Sequence, residues 1–212
     1  MTSPFSEAAV VERPAMDLLG SMGWAALDAT HEVFGADGTL GRSTAAEVVL
    51  RPRLRAALAR LNPNLAPEGL TQAEEALTRD RGSMGLLAAN RELYELLKQG
   101  VKVEVPDGKG GRTETRAKVI AWDQPQANDF VAVQQLTVLG QLYTCRPDIV
   151  GFVNGLPWVL IECKAPGVPA QRAFDDNLTS YKHPLNGIPR LCAHNAVLIA
   201  TNGTDKIGRA HV

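Results

Sequence analysis

Residues 146–166 read RPDIVGFVNGLPWVLIECKAP, and this stretch decides the fold. Its two apolar runs, Ile149–Val153 and Val159–Ile161, lie on either side of the dipeptide Asn154-Gly155. Asn-Gly between runs of β-branched and aromatic residues is the strongest short-range signal for a β-hairpin. The stretch therefore predicts two antiparallel strands that are joined by a tight turn.

Charged residues mark the open end of this predicted hairpin. Asp148 precedes the first strand, whereas Glu162 and Lys164 come at the end of the second. Burying an unpaired carboxylate is costly, and a divalent cation between Asp148 and Glu162 would neutralise both. Mg²⁺ prefers oxygen ligands, which the two carboxylates and the backbone carbonyl of Cys163 can supply. Because bound Mg²⁺ polarises a phosphodiester and acidifies water, the pattern predicts a metal-dependent phosphodiester hydrolase.

Lys164 lies two residues after Glu162, and alternate residues of a strand share one face. On that face its ammonium group would orient the attacking water or offset charge on the pentavalent phosphate. The side chain of Cys163 would point to the opposite face, where a small apolar residue suits a core.

The register of the hairpin decides whether the two carboxylates meet. A strict two-residue loop pairs Val153 with Leu156 and puts Asp148 and Glu162 on opposite faces of the sheet. One extra residue, in the loop or in a bulge near Gly155–Pro157, puts the two acids directly opposite each other. The catalytic interpretation therefore predicts a three-residue loop or a bulge at this point.

The dipeptide Pro-Asp at 147–148 and the triplet Glu-Cys-Lys at 162–164 are similar to the PD-(D/E)xK nuclease signature. The match extends to residues 128–138 (NDFVAVQQLTV), to NGLP within the hairpin, and to residues 188–203 (IPRLCAHNAVLIATNG). In this order and spacing, the motifs resemble the N-terminal nuclease domain of the R subunit of type I restriction-modification enzymes. The resemblance covers residues 6–208.

This resemblance implies a fold and a chemistry. The fold would be a restriction-endonuclease-like α/β fold, in which helices flank a mixed central sheet and the N-terminal part is helical. The reaction would be Mg²⁺-dependent hydrolysis of double-stranded DNA, with Asp148, Glu162 and Lys164 as catalytic residues. In the family, cleavage of unmodified DNA is coupled to ATP-driven translocation, and the R subunit assembles with modification and specificity subunits. No GxxxxGK[ST] loop occurs in this chain, so ATP use is expected only of a longer protein.

An acidic residue on the first helix approaches the metal site in the resembled family. Glu7 is the first candidate for this role, and Glu12 is the second. An acid in the first turn of a helix is also favoured by the helix dipole, which would explain Glu7 without a metal.

Four polar residues match further positions of the family. Asn128 and Gln135 lie on a strand predicted over residues 128–139, where Gln135 would hydrogen-bond near the scissile phosphate or satisfy an open strand edge. Asn177 and Tyr181 lie on a helix predicted near Ala170–Tyr181, where the family usually carries Gln-x-x-x-Tyr. The glutamine is thus replaced by a shorter amide, which leaves the role of this position open.

Composition fits a globular chain of one domain. The 212 residues are 45% hydrophobic and 21% charged, and the net charge of −1 leaves DNA binding to a local groove. Three cysteines without CxxC spacing favour a reducing cytoplasm over a disulfide framework or a zinc site. No apolar run approaches the length of a membrane span, and no signal peptide is recognisable.

Hydrophobic periodicity changes near residue 100, from helical spacing to the alternation of strands. We expect one nuclease domain over residues 1–212, with a helical part over about 1–100 and a catalytic sheet over about 101–205. We expect Ile207–Val212 to be non-native, and the C-terminal motor domains of the family to be absent from this fragment.

The helical part gives two further predictions, one about where a helix starts and one about an irregular segment. The capping box Thr44-x-x-Glu47 predicts the start of a helix that Pro52 kinks or splits. The segment 25–42 reads as irregular chain.

Two other functions fit the same residues. One is a free-standing PD-(D/E)xK nuclease for repair or junction resolution, and the other is a catalytically inactive DNA-docking module. The second alternative predicts no binding of divalent cations.

Overall fold

The structure, a computed structural model, describes the backbone of residues 7–210 and the side chains of residues 7–208. The strands in chain order are β1 (Ala25–Asp28), β2 (Val101–Pro106), β3 (Arg112–Ala117), β4 (Phe130–Gln134), β5 (Val138–Leu139), β6 (Thr144–Cys145), β7 (Ile149–Val153), β8 (Leu156–Cys163), β9 (Val197–Thr201) and β10 (Lys206–Ala210). The helices are α1 (Arg13–Ser21), α2 (Arg51–Leu61), α3 (Pro67–Thr78), α4 (Leu86–Gln99), α5 (Ala170–Arg172), α6 (Thr179–Tyr181) and α7 (Pro189–His194), together with π-helical segments at Ala8–Glu12 and Ala173–Leu178 and a 3₁₀ turn at Pro125–Ala127.

Six strands form one mixed sheet in the order β1-β4-β7-β8-β9-β10. The pairs β1–β4 and β8–β9 are parallel, and the other three neighbouring pairs are antiparallel. Helix α1 packs on β1 and β4, and the second π-helical segment packs on β8 and β9. The predicted fold class, a mixed central sheet flanked by helices, is confirmed. No helix in the part of the chain that the structure describes is both long and apolar enough to cross a membrane.

The predicted hairpin forms the middle of the sheet. Every residue of β7 is buried, which explains why its sequence is continuously apolar and does not alternate. A Cβ atom on Gly151 would lie 2.9 Å from the ring of Trp24 and 3.0 Å from Val159, so only glycine fits there. The hairpin is therefore covered on both faces, and its position in the sheet is fixed by packing.

The turn of the hairpin has two residues. Asn154 and Gly155 have φ angles of 52° and 80°, as expected for an Asn-Gly turn of this length. Val153 pairs with Leu156 across it, so the predicted three-residue loop is wrong. The backbone N–H of Leu50 donates to the carbonyl of Gly155 at 2.9 Å, which ties the turn to the start of α2.

The extra residue lies in a bulge beyond the turn. Phe152 pairs with Pro157 but Gly151 pairs with Val159, so Trp158 has no partner in the ladder. The predicted bulge is thereby confirmed, one residue past the predicted segment. From there the register continues to the pair Ile149–Ile161, which brings the residues just beyond it, the two predicted acids, to adjacent positions.

The second helix begins later than its sequence predicts. The capping box at Thr44 does not form: the carboxylate of Glu47 accepts from the N–H of Ser43, Oγ1 of Thr44 accepts from the N–H of Ala46, and the chain is not helical there. Helix α2 begins at Arg51 and carries Pro52 in its first turn. The predicted kink is therefore wrong, since proline is readily accommodated in a first turn, where its missing N–H costs nothing.

The two edge strands of the sheet, β1 and β10, lie in segments for which the sequence made predictions. The segment 25–42, predicted as irregular, contains β1, whose four residues pair in parallel with β4. Residues 207–210, predicted to be non-native, extend the sheet in β10, whereas residues 211–212 lie outside the described part of the chain. Their origin stays a prediction.

Candidate active site

The open end of the β7–β8 hairpin holds two carboxylates through backbone hydrogen bonds. The backbone N–H of Cys163 donates to Oδ2 of Asp148 at 2.7 Å. In return, the backbone N–H of Asp148 donates to Oε1 of Glu162 at 3.3 Å. Each carboxylate is thus positioned by the neighbouring strand, as the bulged register requires.

Glu162 is a buried acid whose second oxygen makes no hydrogen bond of normal geometry, although the hydroxyl of Tyr181 lies near the carboxylate. Its exposed fraction is 1%, and Oε2 has no hydrogen-bond partner among the described residues. Burial and the nearby charge of Asp148 raise the pKa of Glu162 to about 9. Burial also raises the pKa of Asp148. An unpaired buried oxygen of this kind calls for an explanation such as an ion, and a cation would supply the missing partner.

The N-terminal π-helix brings two more acids to this point. One oxygen atom each from Glu7, Glu12 and Asp148 lie within 4.8 Å of one another. On an α-helix, residues five apart point about 140° away from each other. In the π-helix at Ala8–Glu12 the hydrogen bonds run from residue i to i+5, so Glu7 and Glu12 lie on the same side. The sequence treated them as alternatives, and the structure brings both to Asp148.

The acids of the π-helix are also electrostatically strained. Burial raises the pKa of Glu7, and the charge of Asp148 raises it further. Burial raises the pKa of Glu12, against which a hydrogen bond from Gln135 acts. The cluster therefore favours a bound cation, or protons in its absence.

Two consecutive glutamines contact the same carboxylate. Nε2 of Gln135 donates to Oε2 of Glu12 at 2.9 Å and to Oδ1 of Asp148 at 3.5 Å. Nε2 of Gln134 lies 3.4 Å from the same oxygen of Glu12. Gln134 was not predicted as a site residue, and its only signal was its place beside Gln135.

Lys164 reaches the site from the end of β8. Its Nζ donates to Oδ1 of Asn177 at 2.8 Å, and its backbone N–H donates to the carbonyl of Thr201 at 2.8 Å. Tyr181, in helix α6 directly after the π-helical segment of Asn177, is buried beside Glu162, and burial together with that charge raises the pKa of its hydroxyl. The structure thus brings together the predicted lysine, amide and tyrosine.

Comparison with known sequences places the chain in a family. The family described as the type I restriction enzyme R protein N terminus matches residues 4–207. The chain belongs to this family. The resemblance of the motifs is therefore confirmed across nearly the whole chain.

Two curated relatives agree with the R protein assignment. The type I restriction enzyme HindI endonuclease subunit of Haemophilus influenzae is 31% identical over 203 residues, which cover 91% of this chain. A second relative, from Methanocaldococcus jannaschii, bears the name "Putative type I restriction enzyme MjaIXP endonuclease subunit". It is 28% identical over 173 residues, which cover 77% of this chain. The matched parts are 18% and 16% of these relatives, so the chain spans under a fifth of their length.

One predicted residue of the R protein motifs lies away from the acids. Asn128 precedes β4, at the opposite end from Gln135. Its Oδ1 accepts from the backbone N–H of Ala121 at 2.9 Å, and it also accepts from Nδ2 of Asn154 at the hairpin turn. The structure therefore does not bring Asn128 to the carboxylates, and its amide fixes the turn end of the sheet.

Cys163 contacts the carboxylate of Asp148 through its backbone. Its side chain is fully buried beside Val11 and Met16, and burial raises the pKa of the thiol. The N–H points to Asp148, and the carbonyl stays a predicted metal ligand.

A cavity of about 690 Å³ opens elsewhere, between the start of α4 and α7. None of the carboxylates of the hairpin or the π-helix lines it. Its size suits a small molecule. The unpaired oxygen of Glu162 and the three converging acids lie at the open end of the hairpin, away from this cavity.

Proposed function

We propose that this chain is the DNA-cleaving domain of a type I restriction R subunit, and that it hydrolyses phosphodiester bonds of double-stranded DNA with Mg²⁺. The observation that carries the proposal is the convergence of Glu7, Glu12 and Asp148 on one point. Glu162 is held next to them by the backbone N–H of Asp148, and the charge of Lys164 acts on both Glu7 and Asp148. A stable fold gains nothing from collecting acids in this way, because their repulsion and desolvation are both unfavourable.

The donor set fits a hard divalent cation. Glu7, Glu12 and Asp148 would hold it, since each offers an oxygen within 4.8 Å of the others. Glu162 lies outside this 4.8 Å group, but its Oε2 is buried without a hydrogen-bond partner next to Asp148, and we propose it as a further ligand. Mg²⁺ binds such carboxylates while it keeps several waters. When bound, the ion would polarise a phosphoryl oxygen and acidify a water.

The chain's own residues supply the rest of the chemistry. Asn177 holds the ammonium of Lys164 at 2.8 Å, so the positive charge is fixed beside the acids, where it would offset negative charge on the phosphate. Without a cation, Glu162 keeps a proton at neutral pH because its pKa is about 9. Cation binding would release that proton, so affinity is expected to rise with pH.

The longer protein would add the other activities of a type I enzyme. We propose that a motor in the part of the R subunit beyond this chain uses ATP to translocate DNA, and that modification and specificity subunits direct cleavage to unmodified DNA. Three free thiols suit a cytoplasmic protein. Membership of the R protein family favours this context over a free-standing repair nuclease.

Metal binding and DNA cleavage together test the proposal. Calorimetric titration of the chain with Mn²⁺ or Mg²⁺ should show binding that Asp148→Ala abolishes, whereas Asp123→Ala, which removes an exposed acid, should bind as the wild type does. In the assembled enzyme, Asp148→Ala and Lys164→Ala should lose DNA cleavage without unfolding of the domain. Cleavage retained in either variant would contradict the assignment, and negligible cation binding by the wild type would favour an inactive docking module.

A further inference from the structure

Gln135 has an unusual backbone for its residue type. Its φ is +57°, and among the described residues the only other non-glycine with positive φ is Asn154, in the hairpin turn. A left-handed conformation is unfavourable for a residue with a Cβ atom, because Cβ then crowds a backbone carbonyl, whereas asparagine adopts it more readily in such turns. Strained residues of this kind persist where the surroundings require them, and they cluster at functional sites.

The left-handed turn redirects the side chain of Gln135. In a regular strand, successive side chains point to opposite faces, so Gln134 and Gln135 could not reach the same group. In the structure both amides approach Oε2 of Glu12, at 3.4 Å and 2.9 Å. The strained backbone is therefore what places the second amide on the side of the carboxylates.

Gln135 connects the π-helix at Ala8–Glu12 to the residue before β7, and no backbone ladder joins these two elements. Its N–H donates to the carbonyl of Asp148 at 2.8 Å, and its Nε2 lies 2.9 Å from Glu12 and 3.5 Å from Oδ1 of Asp148. Gln134 and Gln135 supply the only hydrogen bonds to the Glu12 carboxylate among the described residues. The amide thus holds the acid of the π-helix against the acid of β7, although their charges repel.

The chemistry of the amide also matters. A lysine or arginine at this place would hold both acids, but its charge would compete with a divalent cation for them. An amide donates two hydrogen bonds and carries no net charge. It can therefore keep repelling carboxylates together and leave their negative charge available.

We propose that Gln135 is a positioning residue which sets the cation affinity of the site, by fixing Glu12 against Asp148. The proposal rests on the proposed function and assigns Gln135 a role other than contact with the scissile phosphate, because both N–H groups of its amide face carboxylate oxygens. Groups that orient metal ligands typically change metal affinity ten- to a hundredfold when they are removed. Such a change, without loss of the fold, is what a positioning role requires.

Two substitutions separate the amide from the backbone strain. Gln135→Met keeps the length of the side chain and removes both donors, and Gln135→Gly also relieves the left-handed backbone. Gln141→Met, at an exposed glutamine, is the matched control. Calorimetric titration of the chain with Mg²⁺ and Mn²⁺ should give affinities about ten- to a hundredfold weaker for both variants at 135, and unchanged affinity for the control.

Thermal melting without metal keeps the test independent of folding. Gln135→Gly should melt at or above the temperature of Gln135→Met, because glycine accepts the positive φ without strain. Wild-type affinity in either variant at 135 would overturn the positioning role and leave the metal site intact. A wild-type chain that binds neither ion would overturn the proposed function, and the role of Gln135 with it.

Discussion

Replacing Glu162 by glutamine should stabilise the metal-free protein and abolish its response to Mg²⁺. The amide keeps an oxygen that can accept from the N–H of Asp148, as Oε1 of Glu162 does now. It also removes an ionisable group whose pKa is about 9 in the folded chain and about 4.5 in the unfolded one. Because the folded state binds this proton more tightly, the wild type loses stability as pH rises from 4.5 towards 9.

The size of the effect follows from that difference in pKa. Stability should fall by about 1.4 kcal/mol for each pH unit within this window, because the unfolded chain releases a proton that the folded chain retains. At pH 7, about 2.5 units above the unfolded pKa, the cost to the wild type is about 3 kcal/mol. Glu162→Gln should therefore melt about 6–12 °C higher at pH 7, at about 2–4 °C per kcal/mol for a chain of this size.

Thermal melts of both proteins between pH 5 and pH 8.5, with EDTA and then with Mg²⁺, would measure the effect. The gap between the two melting temperatures should widen as pH rises, and Mg²⁺ should raise the melting temperature of the wild type alone. A gap that stays constant with pH would refute the buried, proton-binding Glu162 on which the prediction rests. Equal stabilisation of both proteins by Mg²⁺ would remove Glu162 from the ligand set.

Variants at three further positions test other features of the structure. Deleting Trp158 should close the bulge and leave Gly151 opposite Val159 and Asp148 opposite Glu162, so calorimetry should still find cation binding, as it should for Trp158→Ala. Inserting one alanine after Trp158 should shift the register by one residue and abolish the binding. Asn177→Ala should free the ammonium of Lys164 and slow DNA cleavage about ten- to a hundredfold with metal affinity unchanged. Gly155→Ala should lower the free energy of unfolding by at least about 2 kcal/mol in urea melts, because its φ is +80° and the new Cβ would lie 2.6 Å from a backbone oxygen.

The hairpin could be predicted because its signals are local. Asn154-Gly155 fixes a turn through its own backbone preferences, and the apolar runs beside it fix two buried strands. The charged ends then follow from position alone, which is why Asp148, Glu162 and Lys164 were recognisable without coordinates. The position of the bulge was predicted to within one residue, because Pro157 and Trp158 are equally compatible with an irregular strand.

The features that sequence reasoning missed depend on distant parts of the chain. Strand β1 has four residues with no alternation of buried and exposed positions, and its pairing with β4 supplies its structure. The π-helix that unites Glu7 and Glu12 has no established sequence signal, because helical periodicity is read on the assumption of an α-helix. The left-handed turn at Gln135 likewise lacks the glycine or asparagine that would have revealed it.

The bulge at Trp158 shifts the register of the hairpin by one residue. Trp158 sits near the turn, and because the bulge leaves it unpaired, the acids at the far end of both strands keep the same face. What matters there is that the ladder absorbs one extra residue, and the identity of that residue is secondary. A lineage carrying this domain could exchange or even lose the tryptophan and keep the two acids opposite each other, but a further codon gained in the hairpin would separate them.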